Sequence, residues 1–284
     1  MEKKSVFIIL GTLVGLNILA WSAVYELSKG AELLEVTFFD VGQGDAIFIE
    51  TPQRHQILID GGPDSAVLEK MGKEMPFWDR TIDLIVLTHP ERDHMSGLLE
   101  VLKRYKVENI LWTGVLRDTA EYKEWQRLIQ KEGAKIYIAQ AGQRIEGGEI
   151  SFDILYPFDS LEGQEFKDSN DTSIIAKLIF NETSFLFTGD ATMKVEKRLI
   201  NEGEDIDSDV LKVGHHGSKT SSAGEFIQAV SPGTAVISVG GDNNYGHPYP
   251  ETLAILEKYG IKILRTDLIG DIKIISDGIN FIIQ

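Results

Sequence analysis

The 284-residue chain contains no cysteine. That excludes a disulfide framework and a thiolate metal site, so any metal must be held by His, Asp, Glu or Asn. Positive charge is also scarce: 28 Lys and Arg stand against 44 Asp and Glu, a net charge of −16. A surface of this sign repels polyanions at long range, and broad duplex binding through a cationic footprint is not expected. Low-complexity tracts and internal repeats are absent. With 43% hydrophobic and 25% charged residues the chain reads as an ordinary folded protein. Its length suits one large domain or two small ones with a sizeable core. Long apolar runs are missing with one exception, Ser5 to Tyr25, which carries no charge and follows Lys3 and Lys4. As a helix it would rise about 31 Å, enough to cross a hydrocarbon core. This predicts a single-pass transmembrane anchor with the bulk of the chain extracytoplasmic, because the lysines mark the inner side. The alternative is a cleaved signal peptide with a weak site at Ala20-Trp21-Ser22, giving a secreted protein. The boundaries expected are 1–30 for the anchor or signal segment with its linker, and 31–284 for the folded domain.

From Leu33 onward the patterning changes to strands. EVTFFDVG and AIFIET are joined by the tight connection Gly42-Gln43-Gly44-Asp45, and HQILIDGG is a third run. TIDLIVLTH is a continuous apolar strand, followed by helical spacing of Leu98, Leu99, Leu102 and Tyr105. Strands and helices then alternate to the C-terminus, with Asn181-Glu182 as a turn between two strands. The alternation, with strand-rich ends, fits an α/β fold in which two sheets lie face to face with helices outside, a four-layer αββα sandwich.

The chain has only six histidines, and five of them sit at strand ends or in glycine-rich loops. His55, between two strands, reads as a surface residue. The stretch LTHPERDHMSG, residues 87–97, places His89, Glu91, Asp93 and His94 in the loop between a strand and a helix. Loops at strand ends concentrate binding residues. Imidazole and carboxylate together suit Zn²⁺, Mn²⁺ or Fe, and a carboxylate-rich set leans toward Mn²⁺. Helix capping by Asp93 would explain neither histidine. Asp190 in FLFTGDA and His215-His216 in VLKVGHHGS also follow apolar strands and are bounded by glycine.

The order DVGQGD, LIDGG, THxxxDH, TGD and GHHGS resembles the metallo-β-lactamase superfamily. More narrowly it is similar to the hydrolase domain of the DNA-uptake (competence) protein ComEC, on DVGQGDA at 40–46, NDTS at 170–173, DVLKVGHHGSKTS at 209–221 and YGHPYPE at 245–251. The resemblance runs from about Leu33 to the C-terminus. The membrane channel of those proteins is not expected, since the chain has one apolar span. The resemblance implies two divalent metal ions, Zn²⁺ or Mn²⁺. His89 and Glu91 would belong to the first site, Asp93, His94 and His216 to the second, and Asp190 would bridge both. His215 would face substrate beside the metals, and Asp60 would orient ligands from behind. Two departures stand out. Glu91 occupies a position where many members have histidine, and no histidine lies between 95 and 214. At the latter place NDTS offers Asn170 or Asp171 as an oxygen ligand.

Two ions about 3.5–4 Å apart can hold a bridging hydroxide that attacks a phosphodiester, with His215, Asp190 and Asp93 as the catalytic groups. Lys212, Ser218, Lys219 and His247 are candidates for binding phosphate oxygens. The expected function is therefore an exported, metal-dependent phosphodiesterase or nuclease linked to DNA uptake or extracellular DNA degradation. Single-stranded DNA is a more acceptable partner than duplex at this net charge. Trp112 and Tyr245 are aromatic candidates for base stacking, with core or turn roles as the alternative. The competing expectation is a non-catalytic binding or assembly module of an uptake apparatus, with a degraded metal site.

Overall fold

The structure is a computed structural model that describes residues 3–28 and 33–284. The chain divides into two compact units, 1–32 and 33–284. In the first, α1 (Lys3–Ser28) leaves large apolar side chains such as Phe7, Leu19 and Trp21 exposed. Among the described residues no helix is long and apolar enough to cross a membrane. The transmembrane helix expected at Ser5 to Tyr25 is thus observed as a helix, while its role as a membrane span finds no support in the structure.

The second unit begins with β1 (Leu34–Phe38), β2 (Ile47–Glu50) and β3 (Gln56–Ile59). After α2 (Ala66–Glu74), the chain alternates β4 (Thr81–Leu87), α3 (Arg92–Val101), β5 (Lys106–Trp112), α4 (Ala120–Glu132) and β6 (Lys135–Ile138). It continues through β7 (Arg144–Gly147), β8 (Ile150–Tyr156), β9 (Ile175–Phe180) and β10 (Thr183–Phe187). Then α5 (Met193–Glu202), β11 (Val210–Lys212), α6 (Gly224–Val230), β12 (Thr234–Ile237), α7 (Pro250–Lys258) and β13 (Lys262–Arg265) alternate. Finally α8 (Thr266–Ile269) leads to β14 (Ile272–Ser276) and β15 (Phe281–Ile283). The first sheet has the order β15-β14-β1-β2-β3-β4-β5-β6, and the second β13-β12-β11-β10-β9-β8-β7.

Alternation along the strands explains the layering, because successive side chains leave a strand on opposite faces. Ile47 and Ile49 join Phe152, Leu178, Phe185 and Phe187 in the core between the sheets. Phe48, between them, packs on the other face with Met71, Leu98 and Trp125 of α2, α3 and α4. The second sheet behaves likewise: Leu186 turns away from Phe185 and Phe187 to pack against Val195, Leu199 and Phe226 of α5 and α6. The expected αββα sandwich of two sheets is therefore observed. Three elements had no counterpart in the sequence reading: α2, β7 and the single turn α8. Only Val67 and Met71 of α2 are buried, and Gly72 interrupts it, so its helical period is faint. Strand β7 is exposed at the sheet edge and carries no apolar alternation.

β3 through β6 pair in parallel, as do β10 through β13. In parallel sheets the loops at the carboxyl ends of strands are where ligands bind. All the expected metal-binding residues except Asp171 follow β4, β10 or β11 directly. One backbone contact fixes their placement. Gly61 N donates to His94 O at 2.8 Å and Gly97 N to Gly62 O at 3.0 Å, so α3 lies directly on the chain leaving β3. A Cβ on Gly97 would sit 1.8 Å from Gly61 O. Gly97→Ala is expected to force these segments apart and destabilise the fold by about 3 kcal/mol or more, beyond usual overpacking. Gly72→Ala, with nothing within 4 Å of the added Cβ, is expected to stabilise by about 0.5–1 kcal/mol. Urea unfolding of the two variants measures both, and equal effects would contradict the packing argument.

Candidate metal centre

Asp60 ends β3 with φ of +57°, a conformation that Asp tolerates better than most residues. One carboxylate oxygen accepts from Thr88 N at 2.8 Å. The other accepts from Thr88 Oγ1 at 2.6 Å and from His94 Nδ1 at 2.8 Å. The shared proton on Nδ1 leaves Nε2 of His94 free, 3.3 Å from Asp190 Oδ1. His216 is held in the same way from another direction. Its Nδ1 lies 2.9 Å from Ser238 O and 3.3 Å from Asp45 Oδ1. Its Nε2 faces Asp93 Oδ2 at 3.4 Å and Asp190 Oδ2 at 3.5 Å. A carboxylate or carbonyl behind each imidazole is the usual support for a metal-ligating histidine.

One ligand atom from each of Asp93, His94, Asp190 and His216 falls within 4.8 Å of the others. Within that group Nε2 of His94 and His216 and Oδ1 of Asp190 are buried without a hydrogen-bond partner, and so is Nε2 of His89, an expected ligand that lies outside the group. An orphaned buried polar atom costs about 1–3 kcal/mol, so several converging on one point call for a cation. The electrostatics agree. Burial alone would raise the pKa of Asp190, but His216 and His94 outweigh it and hold it well below the usual carboxylate range. Burial works against charge on His216, yet Asp190 and Asp45 push it up to about 10. His89 is pushed down to about 3 by burial and then by neighbouring His94, which keeps its imidazole neutral and available as a ligand. Without a metal the carboxylates draw protons onto His94 and His216, and a divalent cation would supply the same charge. The donor set of imidazole and carboxylate fits Zn²⁺ or Mn²⁺.

His215 and His216 adopt φ of +48° and +54°. Left-handed conformations at such residues cost about 1–3 kcal/mol each and cluster at functional sites. The turn leaves His216 buried and aims His215 outward, with Nε2 3.7 Å from Asp190 Oδ2. His215 and Asp190 line a cleft of about 200 Å³ together with Asp93, Asn170, Tyr245 and His247.

Residues 39–241 match the profile of the Metallo-beta-lactamase superfamily. The chain belongs to that superfamily. It is similar to ComE operon protein 3 of Bacillus subtilis, at 32% identity over 257 residues, covering 84% of this chain and 32% of the relative. It is also similar to competence protein ComA of Neisseria gonorrhoeae, at 33% identity over 237 residues, covering 83% of this chain and 31% of that protein. The chain thus spans about a third of the length of these relatives. Among solved structures it is similar to the metallo-beta-lactamase fold protein YhfI from Bacillus subtilis, with a TM-score of 0.56 and 15% identity, covering 82% of this chain and 96% of that one. That likeness supports the fold alone.

Within the superfamily fold, several residues singled out in the sequence lie elsewhere than expected. Glu91 lines the cleft, but its Oε1 is taken by Arg117 and Ser169, and it is not in the four-residue group. Asp171 is not brought to the cluster at all. Its oxygens accept from Thr192 Oγ1 at 2.5 Å and Lys194 Nζ at 2.6 Å, pointing toward α5. Asn170 occupies the cleft instead, with Nδ2 3.3 Å from the ring of His215. Lys212 is corrected as a substrate-binding residue: it is fully buried, pairs with Asp45 Oδ2 at 2.7 Å and donates to Val213 O. Ser218 is buried in its own turn, with its hydroxyl 3.0 Å from Thr220 Oγ1. Lys219 lies over the Tyr249 ring at 5.3 Å. Of these four only His247 lines the cleft. His55 pairs with Asp83 at the surface, as its position suggests.

Two groups were missed. Asp45 stands in the DVGQGDA motif, directly after a glycine-rich turn beyond a strand, and that placement was a usable signal. Arg117 and Ser169 come from loops with no distinguishing pattern. The Lys212–Asp45 pair yields a prediction. Removing one partner of a buried ion pair leaves an uncompensated charge, so Lys212→Met is expected to lower stability by about 3–5 kcal/mol. Lys219→Met, at an exposed side chain, is expected to change it by less than about 0.5 kcal/mol. Chemical denaturation followed by circular dichroism compares them, and an unchanged midpoint for Lys212→Met would return that lysine to the substrate.

Proposed function

We propose that the domain is a metal-dependent hydrolase of phosphodiesters, with a nucleic acid strand as the substrate class. The observation that carries this reading is the convergence of the Asp93, His94, Asp190 and His216 ligand atoms on one point at the floor of an open cleft. Those four residues would hold one ion. His89 and Glu91 would hold a second more weakly, because Glu91 must first leave Arg117 and Ser169. Bound divalent ions would polarise the phosphoryl oxygen and lower the pKa of water. The protein's own groups do the positioning. Asp60 fixes the tautomer and direction of His94, and Ser238 O with Asp45 does the same for His216. His215, partly exposed beside Asp190, is placed to hydrogen-bond a phosphoryl oxygen. The competence names of the relatives support a nucleic acid substrate, and DNA uptake or extracellular DNA degradation are the contexts they suggest.

The uncharged run from Ser5 to Tyr25 and the exposed apolar side chains of α1 support membrane anchoring, with the domain on the extracytoplasmic side. A second reading, a non-catalytic binding module, is favoured by one observation: Glu91 and Asp171 are both engaged by cations.

With Mn²⁺ or Zn²⁺ the full chain is expected to cleave bis-p-nitrophenyl phosphate and single-stranded DNA, falling to background in Asp190→Ala. Activity indistinguishable between wild type and Asp190→Ala with both metals would leave the binding module as the better reading. Calorimetric metal titration is expected to show two unequal steps, the weaker one tightening in Arg117→Ala, which releases Glu91. Two equal steps, or a weaker step indifferent to Arg117, would remove Glu91 from the metal.

A further inference from the structure

Resting on the phosphodiester reading, we propose that Tyr245 is a base-stacking platform, so that the substrate presents an unpaired nucleobase next to the scissile phosphate.

Of the two aromatic residues the sequence offered for stacking, Trp112 is 7% exposed and belongs to the core, whereas Tyr245 is 65% exposed. Tyr245 lies at the cleft that holds the ligand cluster. Its ring stacks on His247, with centroids 5.7 Å apart and planes 22° from parallel. His247 in turn meets the edge of His215 at 5.4 Å, and His215 stands beside Asp190. A continuous series of flat rings therefore runs from solvent to the reacting centre. The outermost ring has its outer side open.

The platform is held still. Asn243 Oδ1 accepts from Tyr245 N at 3.2 Å and His247 N at 3.0 Å, while Asn243 Nδ2 donates to Gly240 O at 2.7 Å and His247 O at 2.8 Å. One side chain thus fixes the loop that presents both rings, and rigid aromatic surface binds with little ordering entropy.

Electrostatics point the same way. Among the described residues lining the cleft there is no lysine or arginine. The nearby Lys219 is laid over the Tyr249 ring. Phosphates beyond the scissile one therefore meet no lysine or arginine in the cleft lining, and the Arg117 guanidinium beside it is paired with Glu91, so extended backbone contact contributes little of the affinity. Stacking can supply it, and stacking tolerates any base because every base has a π-face. A paired base would first have to leave its duplex, at a cost of a few kcal/mol. The geometry accordingly selects single strands or short oligonucleotides.

The test uses the full chain with the metal that supports cleavage. Steady-state kinetics are measured on a deoxydinucleotide, on the matching ribodinucleotide, and on a dinucleotide of the same backbone with one abasic residue. Tyr245→Ala is expected to raise KM for a base-bearing dinucleotide about tenfold, or ~1.4 kcal/mol, with kcat changed less than about twofold. On the abasic substrate it is expected to change nothing, and Tyr245→Phe is expected to behave as wild type. Trp78→Ala removes an exposed aromatic ring outside the cleft and serves as the neutral control. A loss confined to the deoxy or the ribo substrate supports the proposal and names the strand. Equal losses on intact and abasic substrates, or no loss on either dinucleotide, overturn it. Should the wild type cleave neither dinucleotides nor bis-p-nitrophenyl phosphate, the phosphodiester reading itself fails. Stacking is then read from equilibrium binding of the dinucleotide, and equal affinity of wild type and Tyr245→Ala overturns it.

Discussion

The buried carboxylate of Asp60 joins the ends of three elements. It accepts both the backbone N–H and the hydroxyl of Thr88, and it takes the Nδ1 side of His94. The ends of β3 and β4 and the start of α3 are locked in one geometry by that group. Burial raises its pKa, and the contacts with His94 and Thr88 work in the opposite direction. Asp45 plays the matching part for His216, with Lys212 as the counter-charge. Asp60 follows β3 and Asp45 leads into β2, both in the first sheet, while Lys212 ends β11 of the second and His216 follows it. The centre is therefore also the polar seam by which the two sheets are registered at their carboxyl ends.

A seam of this kind works against stability where it departs from ordinary backbone and packing. His215 and His216 sit in left-handed conformations. Gly61 and Gly97 permit an approach that any Cβ would prevent. Nε2 of His89, His94 and His216, Nδ1 of His247 and one carboxylate oxygen each of Asp45 and Asp190 are buried without partners. These departures gather on the chain segments that carry the ligand cluster. The cores on the helix-covered faces carry their own unpartnered groups, the indole N–H of Trp112 and Trp125, but their regular alternation supplies the rigidity that holds the strained loop in place.

What the sequence made legible follows from where the signals are dense. Apolar alternation in β2, β3, β4 and β10 serves two cores at once, and it revealed both the strands and the two-sheet arrangement. The residues of the four-membered cluster were visible because each follows an apolar strand, β4, β10 or β11, and Asp190 and His216 also border a glycine. What escaped depended on side-chain direction. Asn170 and Asp171 are adjacent and chemically alike, yet Thr192 and Lys194 draw Asp171 outward while Asn170 faces His215. Lys212 was read as reaching substrate because its strand ends at the site, but strand alternation turns it inward to Asp45. Glu91 was legible as a carboxylate in a ligand position. Its engagement by Arg117 was not, because residues 26 positions apart meet only once the fold exists.

The acid balance of the chain fits this architecture better than it fits a long nucleic acid track. At physiological ionic strength charges beyond roughly 8 Å are largely screened, so the net charge of −16 counts for less than the charges lining the cleft. Inside the cleft the sign is set locally by the carboxylates of Asp93 and Asp190 and by the cation they call for. A bound divalent ion would turn that floor from anionic to electrophilic, while among the described residues the walls offer amide, imidazole and phenol groups and the Glu91 carboxylate but no ammonium or guanidinium. Affinity for a phosphodiester would then come from the floor, and discrimination from the rings and amides beside it. Electrostatic steering would contribute little, which makes slow encounter and tolerance to salt the natural partners of such a site.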